Sequence, residues 1–264
     1  MTDTMARPAP APDESQRGPS GRAVLLIVGV TVLALVVAAV VWTAAARYVR
    51  WATSWGGQGT RPAHVVDGAR DGLDDATVDV VSGATTVEVR AADLGDRLFR
   101  VSTPDGSGLV PAVERDGSAV RVHLRADGGG GPGAVVVQLN RAVTWDVRLT
   151  AGATTDTVDL RGGSVKGVEF VGGVSGIDLA LPRPRGTVTV RESGGVSSFA
   201  VHAPAGVPVR VQTLGGAGSV TVDATTRSGL GGGSVTTPAG WATATDRYDV
   251  ANTAGVSTVT VDHS

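Results

Sequence analysis

The sequence predicts a mainly β protein, a β-solenoid or stacked β-roll of about 21-residue units, preceded by one transmembrane helix. Three observations carry this. One phrase, a small-residue turn followed by an alternating strand, recurs between Gly152 and Val222. From Thr77 onward apolar residues recur with period two. Ala23 to Ala46 contains no charged residue and consists mostly of Val, Leu, Ala and Ile.

Taken in order, residues 1–22 are rich in Pro, Ser and charge and predict a disordered tail, because they cannot bury enough apolar surface to fold. Residues 23–46 match the ~20 residues a helix needs to cross a bilayer. Arg22 closes one end; Trp42, Arg47, Tyr48, Arg50, Trp51 and Trp55 gather at the other, as in an interfacial belt. Ala44-Ala45-Ala46 also resembles a signal-cleavage site. The apolar run exceeds the ~7–15 residues of a signal core, which favours a retained anchor in the lipid bilayer. Three Arg stand on each side, so charge does not set orientation. The layout of exported β-domains favours a cytoplasmic N-terminus and an extracytoplasmic C-terminal domain at the cell membrane. Residues 47–76 show no period and predict a juxtamembrane linker containing His64.

Residues 77–264 form the predicted β-repeat domain, an irregular half over 77–142 and regular repeats over 143–264. Asp116-Gly117 between alternating runs predicts a hairpin. The glycine run 128–133 formally matches G-x-G-x-x-G, but a strand follows it rather than a helix and Pro132 interrupts it, so a loop is expected. Turn glycines Gly152, Gly173, Gly195 and Gly216 are spaced by 21, 22 and 21, and Gly255 follows 39 later. A second turn recurs at Pro182–Gly186, Pro204–Gly206 and Pro238–Gly240, so one unit holds two strands and two turns. A short two-stranded unit cannot bury its own apolar face; stacking at ~4.8 Å aligns Ile177, Phe199 and Val220 in one dry column and Leu179, Val201 and Val222 in the next. The alternative is an antiparallel β-sandwich with the same alternation facing inward. Residues 225–240 break the pattern, as a degenerate rung or a loop. The last strand, Thr258 to Val261, is expected to expose its edge and to offer a homo-oligomer or partner contact.

Composition limits function. The chain has no Cys, which excludes disulfides and Cys-ligated metal. Lys166 is its only Lys, and the Ala, Gly, Val and Arg bias suggests a GC-rich, actinobacterial source. Residues 1–61 hold six Arg and three acids, leaving 17 basic and 22 acidic residues, net −5, in the rest. A mildly acidic domain has no electrostatic footprint for nucleic acid. His64, His123, His202 and His263 lack metal-ligand spacing, Asp74-Asp75 falls in the linker, and no nucleophile elbow occurs. The turns lack the Asp of calcium-binding nonapeptides. No catalytic residue, cofactor or metal is therefore assigned. Arg183, Arg185, Arg191 and Arg210 cluster around one unit boundary and are the candidates for contact with an anionic envelope polymer or lipid headgroup.

The run TWDVRLTAGATTDTVDLRGG, the segments VGGVSGIDLALPRPRGTVTVRESGGVSSFAVHAPAG and LGGAGSV, and the closing GWATATDRYDVANTAGVSTVTV resemble the putative-adhesin, or toast-rack, β-solenoid domains of bacteria. They also resemble the C-terminal domain of cell-wall-stress response regulators, which follows several membrane spans where this chain has one. The resemblance covers Trp145 to Asp262 and rests on the Gly-Gly, Leu-Pro and alternating-Val pattern. It implies a non-enzymatic domain that binds or scaffolds an unidentified envelope component, or senses envelope state and signals through the helix.

Overall fold

The computed structural model describes residues 64–128, 131 and 133–263, so the predicted tail and membrane span lie outside the described residues. Among the described residues there is no helix; the strands form a ten-stranded and a nine-stranded sheet.

Each unit contributes one strand to each sheet. The first unit is β2 (Asp75–Val80) and β3 (Ala84–Ala92); the second is β6 (Ala119–Ala126) and β7 (Ala134–Asn140). The third is β8 (Thr144–Leu149) and β9 (Ala153–Asp159), the fourth β10 (Ser164–Phe170) and β11 (Val174–Ala180). The fifth is β12 (Thr187–Glu192) and β13 (Val196–Ala203), the sixth β14 (Val209–Thr213) and β15 (Ala217–Val222), the seventh β18 (Arg247–Asn252) and β19 (Val256–His263). Neighbouring units pair in parallel throughout both sheets. Antiparallel pairing is confined to the ends of the sheets, where β1 (His64–Ala69), β4 (Arg97–Thr103), β5 (Leu109–Asp116), β16 (Thr225–Leu230) and β17 (Ser234–Thr236) are added. The sheets are therefore mixed, and the purely antiparallel alternative does not hold.

Alternation explains the core. Every second residue of a strand faces the other sheet, and those positions are mostly β-branched, which suits a pleated surface. Val78, Val147, Val168, Val190 and Val250 of one sheet join Val89, Val158, Leu179, Val201 and Val261 of the other in one buried cluster. Phe170 and Phe199 meet across the sheets edge to face, with ring centroids 5.8 Å apart. Full burial of each such side chain contributes roughly 1.5–3 kcal/mol.

The spatial order of the units differs from their order in the chain. The first sheet runs β1-β4-β7-β3-β9-β11-β13-β19-β15-β16. The second unit lies outside the first, and the seventh is inserted between the fifth and the sixth. The expected column is thereby corrected: Phe199 is in register with Val259, which is in register with Val220. Val201, Val261 and Val222 follow the same order. The expected free C-terminal edge is corrected too, because β19 pairs with β13 on one side and β15 on the other.

Three further boundaries move. Of the linker expected over 47–76, residues 47–63 lie outside the described residues, and 64–76 contain β1 and the first residues of β2. The β5–β6 hairpin turns at Gly117-Ser118, not at Asp116-Gly117, because Asp116 pairs with Ala119 and only Gly117 takes positive φ, 58°. Segment 225–240 contains β16 and β17, which add antiparallel strands beyond β15 and β14.

Candidate functional site

The turns of each unit stack into two corners. At the corner leading into the first sheet lie Gly152, Gly173, Gly195, Gly255 and Gly216. Only Gly195 and Gly216 of these take positive φ, 81° and 89°. The tighter requirement falls one residue earlier. A Cβ at Gly172 would collide with the backbone of Ala151 and Gly152, one at Gly194 with Gly172, and one at Gly215 with Ala254. Beside this corner, buried Glu192 accepts a hydrogen bond from the Gly195 amide, and burial raises its pKa.

The opposite corner carries the arginines. Between β11 and β12 the chain reads Leu181-Pro182-Arg183-Pro184-Arg185-Gly186; Leu181 and both prolines are buried while both arginines are exposed. Alternating prolines fix the backbone, so the two arginines project from a stiff segment. Side chains elsewhere hold it at both ends. The fully buried Tyr248 donates its hydroxyl hydrogen bond to Pro182 O at 2.7 Å. The Gly186 amide donates to Asp246 at 2.7 Å, and the Arg247 amide donates to Gly186 O at 3.0 Å. Arg183 and Arg185 line a cleft of about 460 Å³ with Gly162, Gly163, Ser164, Pro182 and Pro184. Gly162 of the neighbouring turn has open space where a side chain would stand.

The structure separates the other two candidates from this pair. Arg191 lies on the outer face of β12 in an alternating row of register partners: Glu114, Arg121, Asp79, Arg148, Glu169, Arg191. Such a row is balanced by its own neighbours. Arg210 reaches Asp249 with two nitrogens, one at 2.9 Å, and its guanidinium lies 3.8 Å from the centroid of Trp241. Arg247 lies near the same indole ring, at 4.2 Å. Arg210 is thus committed within the fold. Among the described residues, Arg183 and Arg185 form no ion pair, whereas Arg141 pairs with Asp93 and Arg161 with Asp159 at other turns.

Register creates groupings that chain order hides. On the outer face of the first sheet, His202 Nδ1 lies 2.8 Å from Asp262 and Nε2 lies 3.3 Å from Asp178. The bond to Asp178, then that to Asp262, outweighs burial and lifts the His202 pKa to about 9. Both nitrogens therefore carry protons at neutral pH and donate, so this imidazolium is a cross-strand clamp and no general base. His263 contacts Asp223 at 2.7 Å and Val207 O at 2.9 Å. Asp156 stands in the dry column between Val87 and Ile177, 1% exposed, with no partner for either oxygen among the described residues, and burial raises its pKa to about 7. Among the described residues no group of three His, Asp or Glu is arranged to hold a metal.

No family model matches the chain, and no curated protein sequence matches it. Solved structures do. A "putative cell adhesion protein" from Clostridium sporogenes is 12% identical over 76% of this chain and 99% of its own, with a TM-score of 0.54. A "putative adhesin" from Bacteroides fragilis is 11% identical over 78% of this chain and all of its own (100%), at a TM-score of 0.29, too low to bear on the fold. At this identity the first likeness establishes a shared all-β fold.

Proposed function

We propose that the chain is a single-pass membrane protein whose β-solenoid domain belongs with the putative-adhesin domains and acts as a binding or scaffolding module of the bacterial cell envelope. The single observation that carries this reading is the fold shared with nearly the whole of a protein bearing a cell-adhesion name. The uncharged run 23–46 supports a bilayer anchor, with residues 1–22 cytoplasmic and the domain outside. The stack suits such a role: side chains on the outer faces and corners vary without disturbing the core. We further assign it no catalytic activity and no cofactor, and its partner is an envelope component rather than nucleic acid.

The reading is tested on cells expressing the full-length chain with a C-terminal tag. It requires that the tag sediment with membranes after carbonate extraction and be digested by protease added to intact spheroplasts. It also requires the detergent-solubilised chain to be retained by purified envelope material. A soluble or protease-protected tag overturns the topology, and absent retention overturns the binding role. The signalling alternative is separated by deleting residues 1–22, which abolishes the output of a sensor and leaves retention by a binding module intact.

A further inference from the structure

We propose that the Arg183–Arg185 corner is a phosphate-recognition cleft that takes a phosphodiester-bearing polymer of the envelope, an inference that rests on the binding-module reading above. Four observations carry it. Arg183 and Arg185 line one cleft, and neither is neutralised by an acid among the described residues, while arginines at other turns are; one Arg183 nitrogen donates to Ala205 O at 3.5 Å, which leaves its other donors and its charge uncompensated. The segment presenting them is immobilised by Pro182, Pro184, the Tyr248 hydroxyl and the Asp246 carboxylate, so little ordering accompanies ligand capture. Asp246, the acid placed at this corner, accepts from the Gly186 amide and forms no ion pair with Arg185. Gly162, Gly163 and Ser164 complete the lining, which adds a hydroxyl donor and leaves open space at Gly162.

This chemistry selects the ligand. Paired planar forks match the oxygens of a phosphate group, and their permanent charge suits a permanent anion. A volume of about 460 Å³ admits a phosphate with its flanking polyol or sugar and excludes a bulky globular partner. A lipid surface fits less well. The exposed large hydrophobics among the described residues are Val65, Leu214 and Val235, none of which lines this cleft, so it lacks an apolar residue to enter a bilayer.

The test uses the full-length chain in mild detergent and calorimetric titration with poly(glycerol phosphate). The expected result is saturable binding that weakens with added salt. R183Q/R185Q should weaken it at least tenfold with an unchanged melting curve, R183K/R185K should leave an intermediate affinity, and R191Q should have no effect. Equal binding by wild type and R183Q/R185Q overturns the cleft. So does equal binding of uncharged dextran, or tighter Arg-dependent binding to phosphatidylglycerol vesicles, which would make a lipid headgroup the occupant. Envelope retention, measured in parallel, keeps the two proposals apart. Unchanged retention of R183Q/R185Q removes the cleft and leaves the binding-module reading, whereas cleft-dependent polymer binding without any retention does the reverse.

Discussion

Two titrating residues pull stability in the same direction. Asp156 is neutral in the fold below about pH 7, while in the unfolded chain it ionises around its ordinary value of 3.8. Its folded pKa is raised, so its contribution is fully present below about 3.8 and is lost as pH rises toward 7. The loss is on the order of 4 kcal/mol, since a tenfold difference in proton affinity between the folded and unfolded chain corresponds to about 1.4 kcal/mol. Asp156→Val continues the column between Val87 and Ile177. We expect it to raise the melting temperature at pH 7 and to flatten stability between pH 4 and 7; a variant that melts lower at pH 7 would show that the carboxyl has a partner it needs. His202 has the same sign over a higher window. Its pKa rises from 6.5 to about 9, so its contribution holds below about pH 6.5 and fades as pH climbs through 9. His202→Gln should remove the loss that wild type shows between pH 7 and 10 in thermal melts. An identical slope in both proteins would refute the clamp.

At the scale of the element, two glycines of one unit should respond oppositely to the same change. Gly172 sits where stacked corners bring backbone against backbone, and Gly172→Ala puts a methyl group inside Ala151 and Gly152. Gly176, in β11, meets nothing within 4 Å. Gly176→Ala should be neutral or stabilise by roughly 0.5–1 kcal/mol, and Gly172→Ala should cost about 2 kcal/mol or more, read from denaturant midpoints. Similar midpoints for the two would mean that the corners have room for a side chain after all. The corner phrase was legible in the sequence because each unit repeats the same small residues before the same alternating strand. The end strands were not. HVVDGA of β1 and TTRSGL of β16 bury no side chain fully, so they carry no periodic signal. Of the arginine group, Arg183 and Arg185 were legible as neighbours in the chain. The pairing of Arg210 with Asp249, and of His202 with Asp178 and Asp262, depends on strand register, which spacing alone leaves undetermined.

Over the whole molecule, unit spacing reveals that rungs stack but not in which order, because most rungs present similar apolar residues to either neighbour. The 39-residue interval before Gly255 therefore hid the insertion of the seventh unit between the fifth and sixth. The four sheet ends are guarded against continued pairing. β5 carries Pro111, β17 has three residues, β1 shifts register at Gly68/Ala69, and β16 aligns Arg227 opposite Val220. Arg227 donates to Val235 O at 3.4 Å and to the Thr236 hydroxyl at 3.3 Å, tying the two sheets together at this end. A chain built this way depends on its last residues. β18 and β19 join β12 to β14 and β13 to β15, so without them the sixth unit loses its only parallel neighbour among the described residues in each sheet. Truncation at Asp246 should therefore abolish the single cooperative unfolding transition and expose β12–β15 to limited proteolysis. Removal of residues 1–69, which takes away β1 with its largely exposed side chains, should leave one transition at a modestly lower temperature. If the truncated chain instead melts cooperatively near the wild-type temperature, the fifth and sixth units must be able to pair directly, in chain order, and the inserted C-terminal rung is not what joins them.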